Sequence, residues 1–419
     1  MSTSQSDATG PAPRWALALV TLALFTDMAV YDMAVPILPD YARPWGVGES
    51  ELGLLFGAYA AALLATVPLA GRLCDRLGPV RALRLGAAGL FLSLALYAAA
   101  NGQAMLFAAR AVQGVAGGTA WTAGLALLAA AFPARRRGRA LGTAMAGMSL
   151  GTLVGPPLGG VLCDAAGPRL PFAAAGAWTL LLGVALLRLP TCLYRAPAGR
   201  SAPARAGWRG YLRTAGVVVI GSALLSGLEP TLPLHLEARL GAGPSGIGAL
   251  FGLAALAYGA CAPLAGWAAD RWGARRVMAG GLAACAATLP VIALPGTCAG
   301  EAVALAAFGV ACAILLAPTL PEIAAVCDRH GANAFGTAYA VFNFAYAVGM
   351  AAGPVAAGVL APALGFGQTL LVFSTAAGLY VPLLFLRRPG VAAERRFETK
   401  VGPLRRNENL VGDQCSVQP

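Results

Sequence analysis

Charge is scarce in this chain of 419 residues. Asp, Glu, Lys and Arg together make up 11% of it, where soluble domains carry about 25%. Lysine is nearly missing: of 30 basic residues only Lys400 is one, an arginine bias that suggests a GC-rich bacterial genome. Histidine occurs twice, and the nine cysteines form no Cys-x-x-Cys pair and no Cys/His ligand spacing. Zinc-type sites are built from such spacings, so no metal centre is expected and most cysteines read as small core residues. A Walker phosphate loop is absent as well, which excludes ATP as a driving force by that motif. No cofactor is expected, and no enzymatic activity.

What the chain does have is apolar length. Hydrophobic residues make up 58%, and crossing a bilayer takes about 20 of them in a helix. Twelve such runs lie between charged or Pro/Gly-rich breaks, at 15–39, 51–71, 81–100, 103–131, 139–163, 169–189, 211–236, 246–269, 276–295, 301–326, 333–360 and 365–386. The first is too long for a secretory signal and lacks its small-residue cleavage site, so it reads as a retained helix. The fold class that follows is an all-α membrane protein of twelve transmembrane helices in the lipid bilayer.

The arginines orient it. With both termini cytoplasmic, the outer loops hold only Arg43, Arg169 and Arg239, and Arg110 lies inside the fourth span. Every other basic residue then falls in cytoplasmic segments, as the positive-inside rule requires. The net charge of +12 is accounted for by these membrane-flanking loops, without nucleic acid.

The two halves repeat. "GRLCDRLG" (71–78) returns as "GWAADRWG" (266–273), "VPILPDY" (35–41) as "EPTLPLH" (229–235), and "GPPLGG" (155–160) as "GPVAAG" (353–358). The offsets, 195, 194 and 198 residues, agree too closely for chance. The expected organisation is a cytoplasmic segment 1–14, a six-helix bundle 15–189, a cytoplasmic linker 190–210, a second bundle 211–386 and a cytoplasmic tail 387–419, with the two repeats around a central cavity.

Several stretches carry a family resemblance. "GRLCDRLGPVRAL" (71–83), "RAVQGVAGG" (110–118) and "GMSLGTLVGPPLGG" (147–160) resemble, in order, the loop, fourth-helix and fifth-helix signatures of the proton-antiporter branch of the major facilitator superfamily. Within it, "LFTDMAVYDMAVPILPDY" (24–41), "LEPTLP" (228–233) and "AYAVFNFAYAVGMAAGP" (338–354) are similar to the vesicular amine transporter family and its bacterial relatives. That resemblance makes Asp27 the amine-binding carboxylate and Glu229 a second substrate or proton site. It assigns Gly71, Asp75, Arg76, Gly78 and Arg81, with the repeat copies Asp270 and Arg271, to a gating loop that latches helices across the halves. There are departures. The family's Asn after the first-helix Asp is Met28 here, its tenth- and eleventh-helix Asp residues fall at Leu316 and Asn343, and its second-helix Lys falls at Tyr59.

The residues support a chemistry of their own. A charge at mid-bilayer costs roughly 2.5–3.5 kcal/mol on insertion scales and so faces a cavity or a partner. Asp27 and Glu229 sit in equivalent spans of the two repeats, and a proton and an organic cation would compete for either. Tyr31, one turn from Asp27, offers an aromatic wall, and Asn343 offers a neutral contact. Asp32, five residues from Asp27, points elsewhere, toward an outer-half polar contact, with lining the path as the alternative. Arg110, buried in span four, is expected to be hydrogen-bonded to backbone or a polar neighbour, and a role in proton coupling is an equal expectation. Gly151, Gly155 and Gly159 permit close helix approach, with Pro156 at the interface between the halves. Glu322 and Asp328 read as solvated, and His235 as exposed. The leading function is a proton-driven antiporter exporting organic cations, amines or drugs, working as a monomer in a bacterial inner membrane. The alternatives are a carrier of neutral or anionic metabolites and a non-transporting receptor or scaffold.

Overall fold

A computed structural model describes residues 11–191, 208–329 and 334–385. The first ten residues, most of the expected linker and the tail after 386 lie outside the described residues, as does the side chain of Asp328. The helices are α1 (Pro11–Met33), α2 (Leu38–Ala42), α3 (Glu49–Leu77), α4 (Pro79–Ala98), α5 (Gln103–Ala131), α6 (Ala134–Ala166), α7 (Arg169–Leu186), α8 (Trp208–Leu240), α9 (Pro244–Trp272), α10 (Ala274–Thr288), α11 (Cys298–Leu316), α12 (Thr319–Arg329), α13 (Ala334–Leu364) and α14 (Phe366–Phe385). Among the described residues twelve stretches are long and apolar enough to cross a membrane. The protein is a multi-pass, all-α membrane protein of two repeated halves.

Prolines set two departures from the expected spans. The first helix stops at Met33, not near 39. Pro36 has no N–H to give to the carbonyl of Asp32; the Val35 N–H takes that carbonyl instead, at 3.1 Å, and closes a turn before α2. The tenth span is broken at Pro318 into α11 and α12. By contrast α8 runs unbroken through Pro230 and Pro233. Side-chain hydroxyls on that helix bond back to carbonyls four residues earlier: Ser226 to Ser222 at 2.8 Å, and Thr231 to Gly227 at 3.2 Å.

The repeat is visible in the backbone. Gly78 and Gly273 close the two copies of Gly-x-x-x-Asp-Arg-x-Gly with φ of 84° and 91°. Each caps one helix through an N–H to the carbonyl four residues back, at 2.9 Å, and opens the next. Helix packing repeats too. Glycines 147, 151, 155 and 159 of α6 lie against α1 so tightly that an added Cβ would meet the α1 backbone or side chains. In the second half Gly349 and Gly353 of α13 lie against α8 in the same way. The seams between the halves are α3 on α13 and α6 on α9. Pro156 faces the latter seam, its carbonyl against Gly248 of α9.

Both seams are drawn together at the arginine-poor end. There Ser50 donates to the carbonyl of Gly358 at 2.9 Å, and the Ser245 N–H at the start of α9 donates to Asp164 at 3.1 Å. Arg43, in the loop after α2, pairs with Glu237 of α8 and, at 3.0 Å, with Asp40. Burial and neighbouring Glu237 raise the Asp40 carboxyl above its ordinary range, opposed by Arg43. A further ion pair, Arg275 with Glu322 at 3.7 Å, lies within the second half. It gives Glu322 a structural partner.

Gly78→Ala should cost about 1–3 kcal/mol, because a side chain is strained at this backbone angle whatever the space around it. Thermal unfolding in detergent should show a lower midpoint for Gly78→Ala and none for Gly71→Ala. Gly71 has no atom within 4 Å of an added Cβ and sits inside α3.

Candidate functional site

Asp27 lies two-thirds along α1 and is 1% exposed. Its Oδ2 accepts from the Trp121 indole N–H at 2.7 Å and, more weakly, from the Tyr59 hydroxyl at 3.4 Å. Its Oδ1 is buried without a partner among the described residues. These donors come from α5 and α3, so the carboxylate is held by helices of its own half. Room for it is made by Gly117, one turn before Trp121: a Cβ there would stand 3.0 Å from both carboxylate oxygens.

Glu229 is 9% exposed on α8. Its Oε2 accepts from the Tyr31 hydroxyl at 2.6 Å, a bond that crosses from one half to the other. The rings of Tyr31 and Tyr59 are in contact, centroids 4.5 Å apart. Each carboxylate therefore holds one tyrosine hydroxyl, and the two tyrosines pack on each other. Met28, Tyr31, Tyr59, Ala60 and Leu63 of the first half share one apolar cluster with Ala347 and Met350 of α13. The site is thus assembled across the halves.

Arg110 of α5 is fully buried behind these rings. Its Nη1 donates to Gln113 Oε1 at 3.0 Å, the same oxygen that accepts from the Tyr97 hydroxyl at 3.3 Å. The guanidinium stands over the rings of Phe56, Tyr31 and Tyr59.

Asp32 differs from expectation. It is half-buried beside Thr152 of α6, yet close enough to Arg110, Asp27 and Glu229 to interact with their charges. A five-residue spacing does rotate it away from Asp27, but α6 and α8 return to the same place, so it belongs to the polar cluster. Asn343 is half-buried on α13, one turn before Tyr346, which itself lies within the field of Asp32 and Glu229. The residues expected to form a gating loop are far from this cluster in the fold: Asp75, Arg76, Arg81, Asp270 and Arg271 are exposed where α3 meets α4 and α9 meets α10. His235 is not exposed; it is half-buried and stacks on Phe366 at 4.2 Å between centroids. Leu316, at the position of the family's tenth-helix Asp, packs against Gly221 of α8.

Sequence reasoning missed Trp121, Phe56 and Gln113 as site residues, and took Tyr59 only as a replacement. Trp121 and Gln113 carried one usable signal: polar-tipped side chains near the middle of an apolar span. It also missed Glu301, fully buried at the start of α11 with both carboxylate oxygens unpartnered among the described residues. No group of three or more His, Cys, Asp or Glu residues able to hold a metal occurs among the described residues.

Two six-helix repeats meeting at a buried, acid-bearing centre, sealed at one end, define a membrane transporter of the alternating-access type. The sequence model of the Major Facilitator Superfamily matches residues 20–228 and 214–412, and the chain belongs to that family. It is a secondary transporter, not an enzyme. Among curated proteins it is 32% identical over 404 residues to a probable vesicular acetylcholine transporter-B of Danio rerio, covering 90% of this chain and 80% of that one. It is 29% identical to the vesicular acetylcholine transporter of Homo sapiens, covering 93% and 85%. To the chromaffin granule amine transporter of Rattus norvegicus it is 29% identical, covering 83% and 67%. Among solved structures, a bacterial homologue of the human lysosomal transporter Spinster, inward-facing and unoccupied, matches with a TM-score of 0.72 at 16% identity. That match covers 90% of this chain and 97% of the other. At such identity it speaks for the fold alone.

Gly117→Ala should cost about 1–3 kcal/mol of stability, the range for overpacking a filled site. The new methyl group would press on both Asp27 oxygens and, at 2.9 Å, on the Tyr59 hydroxyl. A lower thermal midpoint is expected, whereas Gly183→Ala, with open space around it, should show no such loss.

Proposed function

We propose that this protein is a proton-driven antiporter that exports organic cations, amines or drugs among them, by alternating access. The observation that carries the reading is the pair of buried carboxylates, Asp27 and Glu229. They come from equivalent helices of the two repeats, and each is held by a tyrosine whose ring packs on the other's. Burial disfavours a carboxylate's charge unless a proton or a cation accompanies it. A proton and an organic cation then exclude each other at one site, and that exclusion is the coupling. Asp27 binds the amine or its proton, Glu229 is the second site, Tyr31 supplies a wall and Asn343 a neutral contact near the path. Three carboxylates, Asp27, Asp32 and Glu229, outnumber the one guanidinium beside them, which favours a cationic over an anionic solute.

The similarity to vesicular amine and acetylcholine transporters supports the same substrate class. In this reading the arginine-rich end faces the cytoplasm, with both termini on that side of a bacterial inner membrane. The seal of Arg43 with Glu237 and of Asp164 with the start of α9 then makes the described conformation inward-facing. The loop from Gly71 to Arg81 and its copy at Asp270 and Arg271 act as the latch of the opposite, outward-facing state. A single chain holds both halves of the site, so a monomer suffices.

Purified protein in proteoliposomes with a trapped pH dye tests the reading. Addition of a transported amine should move protons, and Asp27→Asn should abolish this movement and lower amine uptake at least tenfold, while the protein still folds. Full proton-coupled uptake by Asp27→Asn would remove Asp27 from the mechanism.

Glu229→Gln keeps the side chain's size and its bond from Tyr31 but cannot take up a proton. The pH dependence of amine binding should therefore flatten around the wild-type midpoint, and a cationic ligand should lose more affinity than a neutral analogue. Unaltered binding curves across pH would leave Glu229 a packing residue.

A further inference from the structure

Arg110 fills an aromatic cage. Its guanidinium carbon lies 4.7 Å from the ring centroid of Phe56, 4.8 Å from that of Tyr31 and 5.7 Å from that of Tyr59. Several aromatic faces converging on one cation is the arrangement with which proteins recognise alkylated ammonium ions. An arginine is a poor occupant for it. A guanidinium carries five N–H donors in a fixed fork and satisfies them best against carboxylates or carbonyls. Here Nη1 has Gln113, while Nε and Nη2 are buried without a partner among the described residues. Nor does Arg110 make an ion pair among the described residues. The carboxylates are nearby, but each is reached through the cage: Tyr31 and Tyr59 present their faces to Arg110 and their hydroxyls to Glu229 and Asp27.

The walls of this cage thus suit a cation that demands few hydrogen bonds, and its present occupant demands many. Phe56, which adds only a π-face, is 0% exposed on α3. It has no charge to balance and no hydrogen bond to make, so it contributes to the cage through its ring alone. Two of the caging residues, Tyr31 and Tyr59, belong to the cluster that meets α13 of the other half. The cage therefore borders the seam between the halves.

We propose that the faces of Tyr31, Phe56 and Tyr59 form a subsite for the alkylammonium head of an organic cation, and that Arg110 is its resident competitor. On binding, the ligand's head group displaces the guanidinium from the three faces. Arg110 then swings to Glu229 or Asp32, whose charges already act on it, and regains there the hydrogen bonds it lacks. The substrate class rests on the cation-export reading above, but occupancy of the cage is measured without transport.

The probe is tetramethylammonium chloride, titrated into purified protein in detergent against sodium chloride at equal ionic strength, with calorimetry and thermal unfolding as readouts. Arg110→Ala vacates the cage; Arg110→Ser, equally short but able to hydrogen-bond a neighbour, is the second variant should the first fail to fold. Vacating the cage should tighten tetramethylammonium binding at least about tenfold over wild type, the scale of a desolvated cation–π contact. Adding Phe56→Leu to the vacated cage should weaken that binding by about threefold or more, since only a π-face is lost. Wild-type and vacated proteins binding the probe equally would overturn the proposal. So would a Phe56→Leu change without effect, which would mean that the carboxylates alone attract the cation. Wild type that transports amines while the vacated cage gains no affinity refutes the cage and leaves the export reading standing. A vacated cage that binds the probe in a protein that transports no organic cation does the reverse.

Discussion

A carboxylate in the middle of a membrane-spanning helix can be tolerated only where protein, not lipid, surrounds it, and the architecture follows from that requirement. Asp27 and Glu229 sit on α1 and α8, whose apolar windows are 61% and 72% buried, against 22% for α9 and 28% for α14. The acids are thus on helices surrounded mostly by protein. Each acid then needs a donor that does not itself bring a full charge into the low-dielectric interior. Tyrosine hydroxyls and an indole N–H meet that need. A lysine in place of Tyr59 would instead add a positive charge beside Arg110.

Central position requires close packing, and glycine provides it in the same way twice. The α6 stripe against α1 and the α13 glycines against α8 bring backbones together where lipid provides no hydrophobic drive for helix association. With one face of α1 pressed against α6, its opposite faces are left for Tyr31 and Asp27 to meet α3 and α5. Pro156 and Pro157 on α6 look toward α9, so one helix packs the interior of its half with glycine and the seam with proline. The seal at the arginine-poor end uses different chemistry: an exposed arginine between two acids, and an aspartate on a helix N-terminus. Exposed ion pairs of this kind contribute little each, about 0–1 kcal/mol. That scale suits contacts that must be broken and remade as the two ends open alternately.

Much of this was legible in the order of residues. Apolar run length counted the spans, because a bilayer of fixed thickness demands helices of a minimum length. The offset copies of Gly-x-x-x-Asp-Arg-x-Gly disclosed the duplication, and the final glycine of each copy adopts a backbone angle closed to other residues. Asp27 and Glu229 stood out because mid-span acids are costly and therefore rare. What the sequence could not order was proximity across helices. Trp121 is 94 residues from Asp27 and Tyr31 is 198 from Glu229, and no periodicity within one helix says which face of another it will meet. Asp32 read as pointing away, since helical spacing speaks only of its own helix; α6 and α8 returned it to the cluster. Arg110 read as a buried residue with a polar neighbour, which it has. That three aromatic rings from α1 and α3 would close around it was decided only when the helices packed, because a cage is made of directions in space and not of positions along the chain.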